Sequence, residues 1–343
     1  MNKPSPDSGS SQKLFSPGPV PLKYATEINY SHRSGEFQVL YKEVSAKLCD
    51  LAGYKHVVLT QGSASSAVET VLSSVLTAES KILVLVNGEF GRRAAAMAAF
   101  YTQSVSQVAT LAELLDKLEV ENFDFCFVVQ FETSLSIFND LAAVQTVCVT
   151  KNVHLIADAV SAFPFYEPPK AKFLITSSSK QLRGLPALGV IFFDDITDLN
   201  LVERSNYLNL KRYIDYSLKN QTPHTSLMPQ FDSLNQELTK LNVVELRKQI
   251  RSNALMLTSA LENLVLNEPI CPVVTLKIEN AEVVVEKLRQ AGISVYHNLF
   301  YMNYYIQVGC FNYDDSSVYA ELGQLIASLT SEVRDSESVQ GTR

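Results

Sequence analysis

Three short stretches of the sequence combine residue types that together could bind and activate a small phosphorylated ring. The first is Gln61-Gly62-Ser63-Ala64-Ser65, directly after the apolar run HVVLT. Gly62 permits a tight turn, and small residues let backbone amides approach a ligand. The helical pattern that follows would present its positive end to a phosphate. The second is Asp158, which closes the apolar run HLIAD. A carboxylate ending a buried strand is costly without a cationic partner, and a protonated pyridine nitrogen would serve as one. The third is Lys180 in SSSKQLRG, 22 residues beyond Asp158. A lysine at a strand end amid small hydroxyl residues can form a Schiff base with an aldehyde. Each has an ordinary alternative: a helix N-cap for the turn, a loop cap for the aspartate, a solvated amine for the lysine. Taken alone, the turn and the lysine favour those alternatives and the aspartate is balanced. Together, and in this order, the three supply a phosphate anchor, a ring-nitrogen partner and an aldehyde-binding amine.

The elements that must position them follow from hydrophobic periodicity. Apolar residues at 37, 40, 44, 48 and 51 predict an amphipathic helix. Strands are expected at 56–60, 81–86, 123–130, 154–158, 173–178 and 189–193, with helices at 65–76, 90–101 and 141–151. Unbroken Val/Ile/Leu runs separated by helices indicate an α/β fold whose mostly parallel sheet is covered on both faces. The runs at 173 and 189 are close enough to form a hairpin, so one antiparallel strand is expected. A long helical pattern from about 233 leads into a smaller α+β unit, with strands at 273–278, ISVYH and YYIQVG, a helix at 281–291 and a closing helix at about 315–330. The expected organisation is a mobile arm over 1–13, a large domain over 14–240 whose segment 14–40 contributes to the active site, a small domain over 241–331 and a frayed tail over 332–343.

Bulk properties narrow the class. The 343 residues are 46% hydrophobic and 19% charged, with net charge −7 and the two signs interspersed. That suits a globule and argues against a general nucleic-acid or membrane-surface binder. No apolar run reaches the roughly 18 residues a spanning helix needs, and the polar N-terminus lacks the apolar core of a signal peptide. The five cysteines are widely spaced without a metal-ligand pattern, which reads as reduced thiols of a cytosolic protein and no bound metal.

From about residue 14 to 312 the chain resembles class V aminotransferases of the pyridoxal 5′-phosphate (PLP) fold type I, among them the alanine–glyoxylate/serine–pyruvate and 2-aminoethylphosphonate aminotransferases. The resemblance is carried by FSPGPVPL, SHRSGEF, QGSASSAVE, LVNGEFGRR, FETSLSIFND, LIADAVSAF, SSSKQLRGLPALG, QTPHTSLMPQFDSL and YIQVGCFN. It implies a large domain with a seven-stranded-type sheet, a small C-terminal α+β domain and PLP as cofactor. By the same resemblance Lys180 would form the Schiff base and Asp158 would pair with the ring nitrogen. Val160 and Phe90 would flank the ring, and Thr133, or else Ser134, would bond its hydroxyl. Ser63, Ala64, Ser65 and Ser177 would hold the phosphate, joined by Thr225 from the other subunit of a homodimer.

Residues implied at the substrate are Gly18 in FSPGPVPL, Arg33 in SHRSGEF and Gln307. The last departs from the family, which usually places a carboxylate-gripping arginine there. A bidentate guanidinium–carboxylate pair is roughly twice as strong as a neutral hydrogen bond, and glutamine cannot replace it. Arg33, Arg93 and Arg183 are candidate substitutes, each with a structural alternative, and Tyr301, Tyr304 and Tyr305 would suit a bulkier or less charged substrate. Ser136 and Asp140 also depart, standing where relatives often have Gly and Pro. The expected activity is amino transfer between an amine or amino acid and a 2-oxo acid or aldehyde. The alternatives are another PLP reaction (elimination, decarboxylation, or desulfuration with Cys310 as the only nearby thiol) and a non-catalytic homologue.

Overall fold

A computed structural model of the chain describes residues 13–17, 28–266, 270–297 and 304–340. These residues divide into two compact units. One runs to Val244; the other takes the residues from Glu245 onward together with 13–17.

The larger unit is built on seven strands: β1 (His56–Gln61), β2 (Lys81–Leu85), β3 (Ser104–Val108), β4 (Phe125–Val129), β5 (His154–Asp158), β6 (Phe173–Ser177) and β7 (Leu188–Phe193). They lie in the order β1-β7-β6-β5-β4-β2-β3. β7 runs antiparallel to both of its neighbours, and the β6–β5–β4–β2–β3 ladder is parallel throughout. The expected hairpin is therefore present, and β7 is the single reversed strand of the sheet. β4, β6 and β7 are buried at every position, which is why they read as unbroken apolar runs.

Helices α1 (Gly35–Ala52), α2 (Ala64–Val75), α3 (Glu89–Ala98), α4 (Leu111–Val120), α5 (Leu141–Thr150), α6 (Leu210–Ser217) and α7 (Met228–Lys240) accompany the sheet. One core layer joins Val71 and Leu72 of α2 and Ala94 and Ala98 of α3 to the sheet side chains of Ile156 and Ile191. The opposite side is sealed in part by Phe37 and Tyr41 of α1 against Phe231 of α7, with ring centroids 5.2 and 5.6 Å apart. α1 begins at Ser34, whose hydroxyl accepts the Phe37 N–H at 3.4 Å, and stops at Gly53 with φ 67°. Such an end is the left-handed cap that glycine adopts without a Cβ penalty. Asp140, one of the two departures noted above, caps α5 by accepting the Ala142 N–H at 3.0 Å.

In the second unit α8 (Val243–Thr258), α9 (Ala281–Gln290) and α10 (Ser317–Gln340) accompany a three-stranded antiparallel sheet of β8 (Val273–Lys277), β9 (Tyr296–His297) and β10 (Tyr305–Gly309), in the order β8-β10-β9. Three expectations are corrected here. Residues 13–17 belong to this unit and not to the large one: Lys13 and Leu14 pair in parallel with Ile293 and Ser294, and the Phe15 ring packs 4.9 Å from Tyr313 and 5.4 Å from Tyr319. The helical pattern from 233 is two helices, α7 and α8, separated at Leu241–Asn242. The expected tail is helical as far as Gln340, because residues 332–340 contain no Gly or Pro and Val333 is still buried. The expected arm, Lys13 apart, lies outside the described residues.

Candidate active site

Parallel strands deliver their following loops to one edge of the sheet, and that edge gathers the predicted residues. β4 and β5 are paired so that Val129 faces Asp158, and β5 and β6 so that Asp158 faces Ile175. Ser177 ends β6 opposite Gly189 of β7, and Gly189 is in turn opposite Thr60 of β1. The Gly62 turn, Ser177 and Asp158 are thus delivered by β1, β6 and β5, with only β7 intervening.

The turn is shaped by glycine in two places. Gly62 has φ 119° and donates its N–H to the Ala187 carbonyl at 2.9 Å. A Cβ on Gly189 would lie 2.5 Å from Thr60 Oγ1 and 2.7 Å from Ala67 Cβ, so its absence lets α2 settle against the sheet. α2 starts at Ala64 from Ser63, whose side chain makes no capping bond. Ser66 Oγ instead turns back to the Ser63 and Gln61 carbonyls, at 2.7 and 3.2 Å. The Ser66 N–H is taken by the Ser63 carbonyl at 2.9 Å, which leaves the amides of Ala64 and Ser65 at the positive end of the helix dipole, an arrangement that favours an anion.

Asp158 is 7% exposed. Its Oδ1 accepts the Val160 N–H at 2.9 Å, while the Ala159 N–H is held by the Ile175 carbonyl. Burial pushes its carboxyl up to about 6. The Val160 bond, Arg93 and Lys180 pull it back, and Glu132 adds to the rise. Lys180 opens a single 3-10 turn, Lys180–Leu182, with φ 67°. A left-handed conformation at a lysine is uncommon and is held only where the surroundings dictate it. Here Ser178 donates its N–H to the Leu188 carbonyl and its hydroxyl to that of Leu185, while its own carbonyl accepts from Gly184. Burial lowers the Lys180 ammonium to about 8, with Asp158 opposing that shift and Arg93 reinforcing it. The two groups therefore sense each other's charge in a desolvated setting.

Phe90 lies in the first turn of α3, half-buried against the core, with the Arg93 guanidinium 4.8 Å from its ring centroid. Thr133 is 4% exposed and lies in the loop after β4. Ser134, the alternative, has its hydroxyl committed: it donates to Glu132 Oε1 at 2.6 Å and accepts the Glu89 N–H at 3.0 Å. Ser136 has φ 51°, which gives a physical reason for glycine in relatives at this position. Thr225 is exposed, and its carbonyl accepts from Gln61 Nε2 at 2.5 Å, beside the Gly62 turn of its own chain.

Arg33 is spent on the loop ahead of α7, donating to Gln221 Oε1 at 2.8 Å and to the carbonyls of Thr222 and Pro223 at 2.7 and 3.5 Å. Arg183 has φ 58° and donates its N–H to the Lys180 carbonyl. Gln307 sits in β10 of the other unit, 2% exposed, its amide donating across the ladder to Thr275 Oγ1 at 2.9 Å. Tyr305 is buried and Tyr304 exposed. Gly18 and Tyr301 fall outside the described residues.

Two residues were missed. Gln181 is fully buried, accepting the Phe165 N–H at 2.9 Å and donating to the Ser161 carbonyl at 2.8 Å. It ties the Lys180 turn to the loop that leaves Asp158. Glu132, also fully buried, accepts the N–H groups of Phe90 and Gly91 at 3.0 and 3.1 Å. Neither has a sequence signal beyond its neighbours, since each works through a loop distant in sequence.

No family model matches the chain. A 2-aminoethylphosphonate–pyruvate transaminase of Pseudomonas fluorescens (strain Pf0-1) is 30% identical over 198 residues, 52% of this chain and 54% of that protein. The chain thus matches about half the length of this curated relative. Among solved structures, alanine–glyoxylate aminotransferase from Nostoc sp. superimposes with TM-score 0.84 at 18% identity, covering 96% of this chain and 97% of that one. Pyridoxamine–pyruvate aminotransferase from Mesorhizobium loti gives 0.83 at 16% identity, covering 95% and 94%. The chain has the fold of the PLP-dependent aminotransferases of fold type I, and in sequence it resembles the class V aminotransferases.

Proposed function

We propose that the protein is a PLP-dependent aminotransferase that moves an amino group between an amine or amino acid and a 2-oxo acid or aldehyde. The observation that carries this reading is the pair of desolvated opposite charges, Asp158 and Lys180, at the edge of the sheet that also carries the open start of α2. The donor set suits PLP: outward amides and small hydroxyls for a phosphate, a carboxylate for a ring nitrogen, an amine for an aldehyde. When bound, PLP would supply an aldehyde that condenses with amines and a ring that accepts electron density.

Lys180 would hold the aldehyde of the bound cofactor, and its amine would move a proton at the substrate carbon. Its pKa of about 8 lies near neutral pH, where a group can both take and return a proton. Asp158 keeps the proton on the ring nitrogen, with its Oδ1 aligned by the Val160 N–H. Val160 and Phe90 would flank the ring, and Thr133, or else Ser134, would bond its hydroxyl. Ser63, Ala64, Ser65 and Ser177 take the phosphate. The protein acts as a homodimer, with Thr225 serving the phosphate bound by the other protomer. It works in the cytoplasm: its five cysteines are free, and among the described residues no helix is long and apolar enough to cross a membrane.

The substrate is one that needs no guanidinium at position 307, because that amide is paired with Thr275. The Pseudomonas relative acts on 2-aminoethylphosphonate by its name, and a donor of that kind carries its acidic group as a phosphonate rather than an α-carboxylate. Desulfuration is disfavoured, since Cys310 is fully buried and burial pushes its thiol up to about 12. The test is a half-reaction screen. PLP-loaded protein is mixed with 2-aminoethylphosphonate, alanine and a panel of simple amines, and the cofactor absorption is followed. At least one donor is expected to convert the cofactor to its amine form. Failure of every donor, in protein that holds PLP, would overturn amino transfer and leave another PLP reaction.

A further inference from the structure

α3 begins without a cap of its own. Its N-cap is Gly88, which has no side chain to offer, and three first-turn N–H groups follow on Glu89, Phe90 and Gly91. All three are satisfied from the loop after β4. Glu132 Oε2 accepts from Phe90 and Gly91 at 3.0 and 3.1 Å, and Ser134 Oγ accepts from Glu89 at 3.0 Å. The bracket is internally closed, because Glu132 Oε1 accepts both the Ser134 N–H at 3.1 Å and the Ser134 hydroxyl at 2.6 Å. Gly88 is what allows the approach: a Cβ there would lie 2.3 Å from Glu132 Cγ and 2.5 Å from Ser134 Oγ. A fully buried carboxylate is costly unless its oxygens are filled, and these are filled by four donors.

We infer that Glu132 is a positioning residue for the cofactor ring, fixing Phe90 and Thr133 relative to each other by holding the start of α3 against the loop after β4. This rests on the PLP reading above and adds to it a residue that touches no cofactor. Phe90 is the second residue of α3, so its backbone is set directly by Glu132 Oε2. Thr133 lies between the two halves of the bracket, so the loop cannot shift without releasing the helix. The carboxylate geometry matters in detail: an amide in its place would turn an NH₂ group toward N–H donors or toward Ser134.

The experiment is a PLP titration of the full-length cofactor-free protein, read by absorption and by quenching of tyrosine fluorescence, on wild type, Glu132→Gln, Phe90→Leu and the double variant. Glu132→Gln is expected to weaken PLP binding about fivefold to tenfold, the scale of losing an aromatic contact and its alignment. In the Phe90→Leu background the same change is expected to cost less than about twofold, because the ring it positions is gone. Ser134→Ala removes the Glu89 acceptor and the hydroxyl that donates to Glu132 Oε1, keeps the Ser134 N–H bond to the carboxylate, and should weaken binding by about twofold to threefold. It stands in if Glu132→Gln does not fold. Equal affinity of Glu132→Gln and wild type overturns the inference, as does a full and additive loss in the Phe90→Leu background. Wild type that takes up no PLP overturns the aminotransferase reading itself, a separate outcome.

Discussion

Lys180→Ala is expected to abolish every covalent bond between protein and cofactor and to reduce turnover by at least about 10²–10⁴-fold, the range lost with a positioned proton-transfer group. The expectation follows from the setting of the amine. Its backbone is held at φ 67° by the Ser178–Gly184 and Ser178–Leu188 bonds, and Gln181 ties the turn to the Asp158 loop. Lys180 is the lysine that this sheet edge brings within reach of the Asp158 charge, with its ammonium lowered by burial. Borohydride treatment followed by removal of free ligand would leave wild type labelled and the variant colourless. Stable labelling of the variant would show that the reacting amine is elsewhere. The fold should survive, because removing Lys180 relieves a desolvated charge.

Asp158→Asn separates function from stability. Turnover should fall on the order of 10³-fold, the scale of removing a preorganised electrostatic partner, since an amide cannot hold a proton on the ring nitrogen. The cofactor-free protein should be stabilised at neutral pH. Burial raises the Asp158 carboxyl to about 6, above its value of about 3.9 in an unfolded chain. The folded state therefore keeps this proton longer than the unfolded state between pH 4 and 6. Asp158's contribution to stability is fully present below about pH 4 and is lost as pH rises through 6. The gain from asparagine should be small at pH 4 and reach its maximum above pH 6, bounded by about 3 kcal/mol from the size of that shift. Thermal unfolding of both cofactor-free proteins from pH 4 to 8 measures the difference. A variant less stable than wild type at pH 7 would contradict the buried-charge account.

The parts of the molecule that were legible in sequence are those whose signal is local. Val/Ile/Leu runs located six of the seven large-sheet strands, and the Gly62 turn, Asp158 and Lys180 each stand at the strand end or turn expected of them. β3 and α4 escaped notice. β3 is an edge strand whose SVSQV is only partly apolar, yet Thr110 and Glu113 form a capping box that marks the start of α4. Residues 14–17 read as part of the large domain because two-residue pairing with Ile293 and Ser294 leaves no periodicity to read. Glu132 and Gln181 were invisible for a different reason. Their partners lie 41 to 42 and 16 to 20 residues away, and nothing in either sequence neighbourhood announces the approach. Gln307 was legible as a departure, but its pairing with Thr275 was not, since cross-strand register is set by the whole sheet.

The central claim is a single bond from Lys180 Nζ to the aldehyde carbon of PLP. Peptide mapping by mass spectrometry of borohydride-reduced, PLP-loaded protein tests it most directly. The account predicts one reduced pyridoxyl adduct, on the peptide carrying Lys180. An adduct on any other lysine, or an unlabelled Lys180 in protein that retains bound PLP, would contradict it.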